Sequence, residues 1–253
     1  MSSLAIAAIV LVCVFAGSTL GLWLSARLPE HHRSPESRDA VKLATGMLSV
    51  LAALVLGLLL ASVKNSFDAT DSQIRQFAAT LILLNQTLSD YGPETAPARG
   101  MLRRYTARAL EDNWPEDSTA PVRMEDTQSG ELLDGVRTEV LRLSGGTARH
   151  DALRGDAATL VETALQTRWL LIERAGSSIQ PLFMVILIVW ITLIFTSFGY
   201  NAPHHATVAA TFVLSAAALA GCIFLIVEMD GPFDGLIIVS STPMRNALAH
   251  MNP

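Results

Sequence analysis

The chain has 253 residues, 51% of them hydrophobic and 16% charged, with a formal net charge of −5. Soluble domains usually carry about a quarter charged residues, and nucleic-acid binding needs clustered Lys and Arg, so neither an ordinary soluble domain nor a nucleic-acid partner is expected. Residues 4–24, 43–63, 181–200 and 206–227 contain no Asp, Glu, Lys, Arg or His, and each is long enough to cross a ~30 Å hydrocarbon core as a helix. The composition therefore predicts an all-α membrane protein. Its four transmembrane helices form two hairpins, with a helical extramembrane insertion between the second and third.

In chain order, the first span has no basic residue before it, and its apolar run is longer than a signal-peptide core of about 7–15 residues. It reads as a membrane anchor. Residues 26–40 form a polar, turn-rich linker with Arg27, His31, His32, Arg33 and Arg38; Asp39 is positioned to cap the second helix, and Lys42 to snorkel or pair with Asp39. No Gly or Pro interrupts residues 63–89, and Phe67, then seven residues on Ile74, Phe77, Leu81, Leu84, Leu88 and Tyr91 at spacings of three and four, mark one apolar face. That pattern predicts one helix from about 42 to 89, carrying a seam that packs on its own chain or on copies of itself. Tyr91-Gly92-Pro93 ends it.

Three more helices are predicted in the middle section. One covers about 96–113 and is stopped by Trp114-Pro115. Residues 116–128 form a loop. The next helix is capped by Ser129 and broken at Gly145-Gly146, and the third spans about 148–176. Together they read as an antiparallel bundle. Pro181 suits the first turn of the third span, and residues 199–203 turn the chain into the fourth, with His204-His205 at headgroup level. After Glu228, Asp230 and Asp234, Thr242-Pro243 opens a small amphipathic helix with Met244, Leu248 and Met251 on one side. The expected division is 1–63 first hairpin, 64–180 extramembrane section, 181–229 second hairpin and 230–253 tail. That tail folds back on the membrane surface or on the helical section.

Six strings occur together and in order: Leu28-Pro29-Glu30-His31-His32, Val41-Lys42-Leu43, Ala53-Leu54-Val55-Leu56-Gly57-Leu58-Leu59, Tyr91-Gly92-Pro93-Glu94, Thr167-Arg168-Trp169-Leu170-Leu171 and Pro232-Phe233-Asp234-Gly235-Leu236-Ile237. By these the chain resembles, from end to end, a bacterial membrane family labelled bestrophin-like, which has no established activity. Its layout is also similar to that of true bestrophins, pentameric anion channels with two spans, a cytosolic helical insertion, two more spans and a tail. The chain lacks their calcium clasp and a run of pore-neck aromatics. The resemblance implies a multi-pass protein of the bacterial inner membrane, a homo-oligomer that passes small ions, with the insertion in the cytoplasm. Basic residues flank the two sides of the spans almost equally, so the positive-inside rule does not decide the orientation.

Catalytic signatures such as the Walker loop, H-E-x-x-H, G-x-S-x-G and C-x-x-C are absent, so no enzyme and no cofactor is expected. His31-His32 has no third ligand in view, and His150-Asp151 no nucleophile. Cys13 and Cys222 sit inside spans as small apolar side chains. Gly17/Gly21 and Ala217/Gly221 are small-x-x-x-small steps that let helices approach closely, within one subunit or between subunits. The spans hold no ionisable group, which argues against a coupled transporter but not against a channel gated by an apolar constriction. Leu54, Leu58 and Leu59 are the candidate pore-lining residues. Lys42, Lys64, Glu228, Asp230 and Asp234 are the candidate mouth or interfacial residues. A membrane-anchored scaffold or sensor whose helical section binds a protein is the competing expectation.

Overall fold

The computed structural model of the chain describes residues 2–27, 35–115, 127–144, 146–174, 176, 179–203 and 205–251. Among them every regular element is helical: α1 Ser3–Arg27, α2 Pro35–Tyr91, a 3-10 turn Pro93–Thr95, α3 Ala96–Asn113, α4 Thr127–Arg142, α5 Ala148–Arg174, α6 Pro181–Asn201, α7 Ala206–Asp230 and α8 Thr242–His250. By length and composition, α1, segment Asp39–Tyr91 of α2, α6 and α7 could each cross a membrane. The expectations for His31-His32, for most of the 116–128 loop, for Gly145 and for His204 lie outside the described residues.

The chain divides into two compact units, Met1–Ser66 with Ser178–Asp230, and Phe67–Ser177 with Gly231–Pro253. In the first, α1 packs against α6 and α7 around a core that includes Val10, Val14, Leu187, Ile191, Ile223 and Ile226. Backbones meet at glycines. A methyl built on Gly17 would lie 2.8 Å from the Thr192 carbonyl oxygen, one on Gly21 would collide with the Thr196 carbonyl, and one on Gly199 with the Ser18 carbonyl. The register advances in the same sense on both helices, so α1 and α6 run parallel. Apolar helices gain little from hydrophobic burial in lipid, and such close van der Waals approach is what holds them together. Hydroxyls in this unit are satisfied locally. Ser18 Oγ donates to the Val14 carbonyl at 2.9 Å, and Thr192 Oγ1 to that of Ile188 at 2.7 Å. Thr45 and Ser197 share a 2.5 Å hydrogen bond that ties α2 to α6.

In the second unit the seam of α2 is consumed by its own chain. Ile74, Phe77, Leu81, Leu84 and Leu88 are buried in one core with Leu102 and Tyr105 of α3, Leu133, Val136 and Val140 of α4, and Val161, Ala164 and Leu171 of α5. The tail joins the same core through Phe233, Val239, Met244, Ala247 and Met251. It is pinned there by Trp114, whose Nε1 donates to the Val239 carbonyl at 2.8 Å and whose ring meets Phe233 edge to face. The tail thus lies on the helical section.

Two local expectations need correction. Helix α2 begins at Pro35, so Asp39 sits inside its first turns rather than at the cap, and pairs with Lys42 at 3.6 Å. Helix α4 begins at Thr127, so Ser129 is helical, and its hydroxyl donates to Asp112 Oδ2 at 2.8 Å. In both cases the helix extends past the side chain that could have stopped it.

The Tyr91-Gly92-Pro93 break is built by Gly92 at φ 139°, with Thr95 Oγ1 donating to the Leu88 and Gly92 carbonyls at 2.5 and 2.7 Å, and Tyr91 OH to that of Ser144 at 2.7 Å. Gly235, at φ 99°, turns the tail. Side chains are strained in this region of backbone space. Gly92→Ala should lower the unfolding free energy of the second unit by about 1–3 kcal/mol, read by denaturant melts followed at Trp114 in a chain whose other three tryptophans are replaced by Phe. An unchanged midpoint would show that the turn relaxes freely.

Candidate functional site

The four apolar helices differ in how far the chain covers them. Only 11% of the most apolar window of α2 is buried, against 28%, 33% and 22% for α1, α6 and α7. One side of α2, with Thr45, Ala52 and Val63, is buried. On the other, Leu43, Met47, Val50, Leu54 and Leu58 recur at spacings of three and four, and each is more than half exposed. They form one apolar stripe, since positions three and four apart share a helix face.

The candidate pore residues divide on this geometry. Leu54 and Leu58 lie on the stripe. Leu59, about 100° further round the helix, packs against the core of the first unit. Sequence reasoning did not single out Leu43, Met47 and Val50, although the same periodicity, extended toward Lys42, would have found them. Lys42 and Lys64 are both exposed, near the two ends of the stripe. Glu228 is buried, Asp230 half-buried and Asp234 exposed, so the three acids do not share one environment. Gly17 and Gly21 face α6 within the protomer, whereas Ala217 is exposed and a methyl on Gly221 would meet nothing within 4 Å.

The second unit holds a further group that the sequence did not mark. Arg168, within one of the family-like strings, is buried, and its guanidinium hydrogen-bonds the Tyr105 hydroxyl. Burial raises the Tyr105 pKa well above that of a free phenol, and the Arg168 charge and hydrogen bond offset only part of this. Asp112 accepts from Ser129 and lies 3.7 Å from Arg108 Nε. Among the described residues, no group of three or more His, Cys, Asp or Glu side chains is arranged to hold a metal.

The fold is therefore an all-helical one with four helices suited to a bilayer and a helical bundle carrying the tail. The crystal structure of a bacterial bestrophin homolog from Klebsiella pneumoniae, a form with one mutation, superposes with a TM-score of 0.69 over 97% of this chain and 98% of that one, at 12% identity. Residues 12–244 match the Bestrophin-like domain. The chain belongs to the bestrophin-like family. No curated protein matches it.

Proposed function

We propose that the chain is a multi-pass protein of the bacterial inner membrane that assembles as a homo-oligomeric ion channel, its path lined by the uncovered stripe of α2. The observation that carries this reading is the stripe itself, an unbroken apolar face from Leu43 to Leu58 that the protomer leaves bare. Around a ring axis, Leu54 and Leu58 would form a constriction narrow and dry enough to gate by dewetting. Leu59 would support the wall from behind. Lys42 and Lys64 would raise the local concentration of anions at the two mouths, with Glu228, Asp230 and Asp234 at the end of the fourth span. The similarity to a bacterial bestrophin homolog supports the same layout.

Helix direction supports a hairpin arrangement. Parallel α1 and α6 need a return crossing between them, and the Asp39–Tyr91 segment of α2 has the length and composition for it. On this reading residues 1–63 and 181–229 are the hairpins, 64–180 the extramembrane section, in the cytoplasm, and 230–253 the tail. The exposed Ala217/Gly221 step is available for contact between copies.

The competing reading is a membrane-anchored scaffold. It is favoured by exposed apolar side chains on the second unit, Trp169 at 57%, Leu170 at 51% and Leu236 at 78%, of the kind that mark partner surfaces. Particle mass in mild detergent separates the two. The channel reading expects a single oligomer of several copies, and a monodisperse monomer would leave the scaffold.

A further inference from the structure

The helical section contains a small cavity between α2, α3, α5 and the tail. It measures about 40 Å³, and Phe77, Trp114, Leu171, Phe233 and Met244 supply most of its apolar wall. Its polar wall is Asp112, Asn113, Arg168 and the hydroxyls of Tyr105 and Ser129; the Ser129 hydroxyl is already given to Asp112 and the Tyr105 hydroxyl is engaged by Arg168. Asn113 matters most. Its Nδ2 donates to the Ala109 carbonyl at 2.7 Å, which fixes the orientation of the amide, because the flipped form would set two oxygens against each other. The Oδ1 atom is then left buried with no hydrogen-bond partner among the described residues. A buried acceptor left unmet is costly, so this wall calls for a donor from whatever occupies the cavity.

We infer that this cavity is a binding site for a small neutral hydrogen-bond donor of the short-chain alcohol class, its O–H directed at Asn113 Oδ1 and its alkyl end against Trp114 and Phe233. Charge excludes the alternatives. The Arg168 guanidinium disfavours a cation, and the Asp112 carboxylate disfavours an anion. Size sets the upper limit. A water needs about 10–15 Å³ on this measure, so the space takes roughly three waters or one molecule of about three heavy atoms. Water meets the same acceptor, and the apolar majority of the wall is what favours an alkyl group over water alone. Phe233 and Met244 belong to the tail and Phe77 to α2, so an occupant touches both the tail and the bundle.

The test uses the full chain in detergent with Trp23→Phe, Trp169→Phe and Trp190→Phe, which leaves Trp114 as the reporter. Ethanol is compared with acetonitrile, a molecule of the same heavy-atom count with no donor. A ligand of three heavy atoms binds no tighter than about 1 mM, so titration covers roughly 1–100 mM. The expected result is a saturable change in Trp114 fluorescence with ethanol and none with acetonitrile. The ethanol affinity should fall at least about tenfold both in Asn113→Leu, which removes the acceptor, and in Ala109→Val, which fills the space and keeps it; tenfold corresponds to the net worth of one hydrogen bond. Saturation-transfer NMR of ethanol on the unsubstituted chain gives the same comparison if the Trp-reduced chain does not fold. Equal, non-saturating responses to the two solvents would mean that the cavity takes water only and would overturn the proposal. So would ethanol binding that survives both substitutions.

Discussion

Gly21→Val is expected to abolish the packing of the first unit. The side chain it introduces points at backbone, the Thr196 carbonyl and the Tyr200 amide, and not at the flexible end of a neighbouring side chain. The only relief is to push α1 away from α6, which would also unseat Gly17 from Thr192 and Gly199 from Ser18. Overpacking of a rigid contact costs about 1–3 kcal/mol and occasionally more, and here three close approaches are lost together, so ~3 kcal/mol or above is expected. Thermal aggregation in detergent should move down by several degrees, with loss of the monodisperse species. Gly221→Val supplies the comparison, because its new side chain meets nothing within the protomer. It should leave protomer stability unchanged and act, if at all, on copy number. Equal behaviour of the two variants would contradict the α1–α6 register.

Leu84→Ala is the second large effect. Leu84 is fully buried in the core formed by α2, α3, α4, α5 and the tail. Truncating a leucine in such a place costs about 3–5 kcal/mol, the lost transfer energy plus the cavity left behind. Because the seam is buried within its own chain, the loss should be the same at every protein concentration, and should appear as a lower denaturant midpoint for the bundle. A loss that shrinks as concentration rises would mean that the seam is shared between copies.

That distinction was not available from periodicity. Spacings of three and four in residues 74–91 identify a face that wants covering, and say nothing about whose side chains cover it. The spans themselves were legible because absence of charge over about 20 residues is a strong signal and a helix is the only local way to satisfy the backbone in lipid. Helix ends at Trp114-Pro115 and Tyr91-Gly92-Pro93 were legible for the same reason, since Gly and Pro act on the backbone directly. Caps were not. Asp39 and Ser129 have the right chemistry, but Pro35 and Thr127 ahead of them are already helical.

The site was legible in part. The Gly17/Gly21 step predicts close approach, and its partner came only with the fold: Gly199, which belongs to no spaced pair, contributes equally to the contact. The position of Leu58 on a helix follows from the sequence, whereas its exposure depends on which side of α2 meets α6. Arg168 looked like one of many basic residues. Its burial beside Tyr105 and Asn113 is a product of tertiary packing, and no local pattern encodes it.

Anion efflux from liposomes reads out whether the bare stripe of α2 bounds an ion path. Purified chain and Leu58→Ala are reconstituted at equal density, and chloride release is followed against protein-free vesicles. Leu58 is 62% exposed on the protomer, so truncating it should leave the fold intact while widening and wetting the constriction. Efflux from the unsubstituted chain and a severalfold faster leak from Leu58→Ala are expected. An oligomer that releases no more chloride than empty vesicles, before and after this substitution, would contradict an ion path along the stripe.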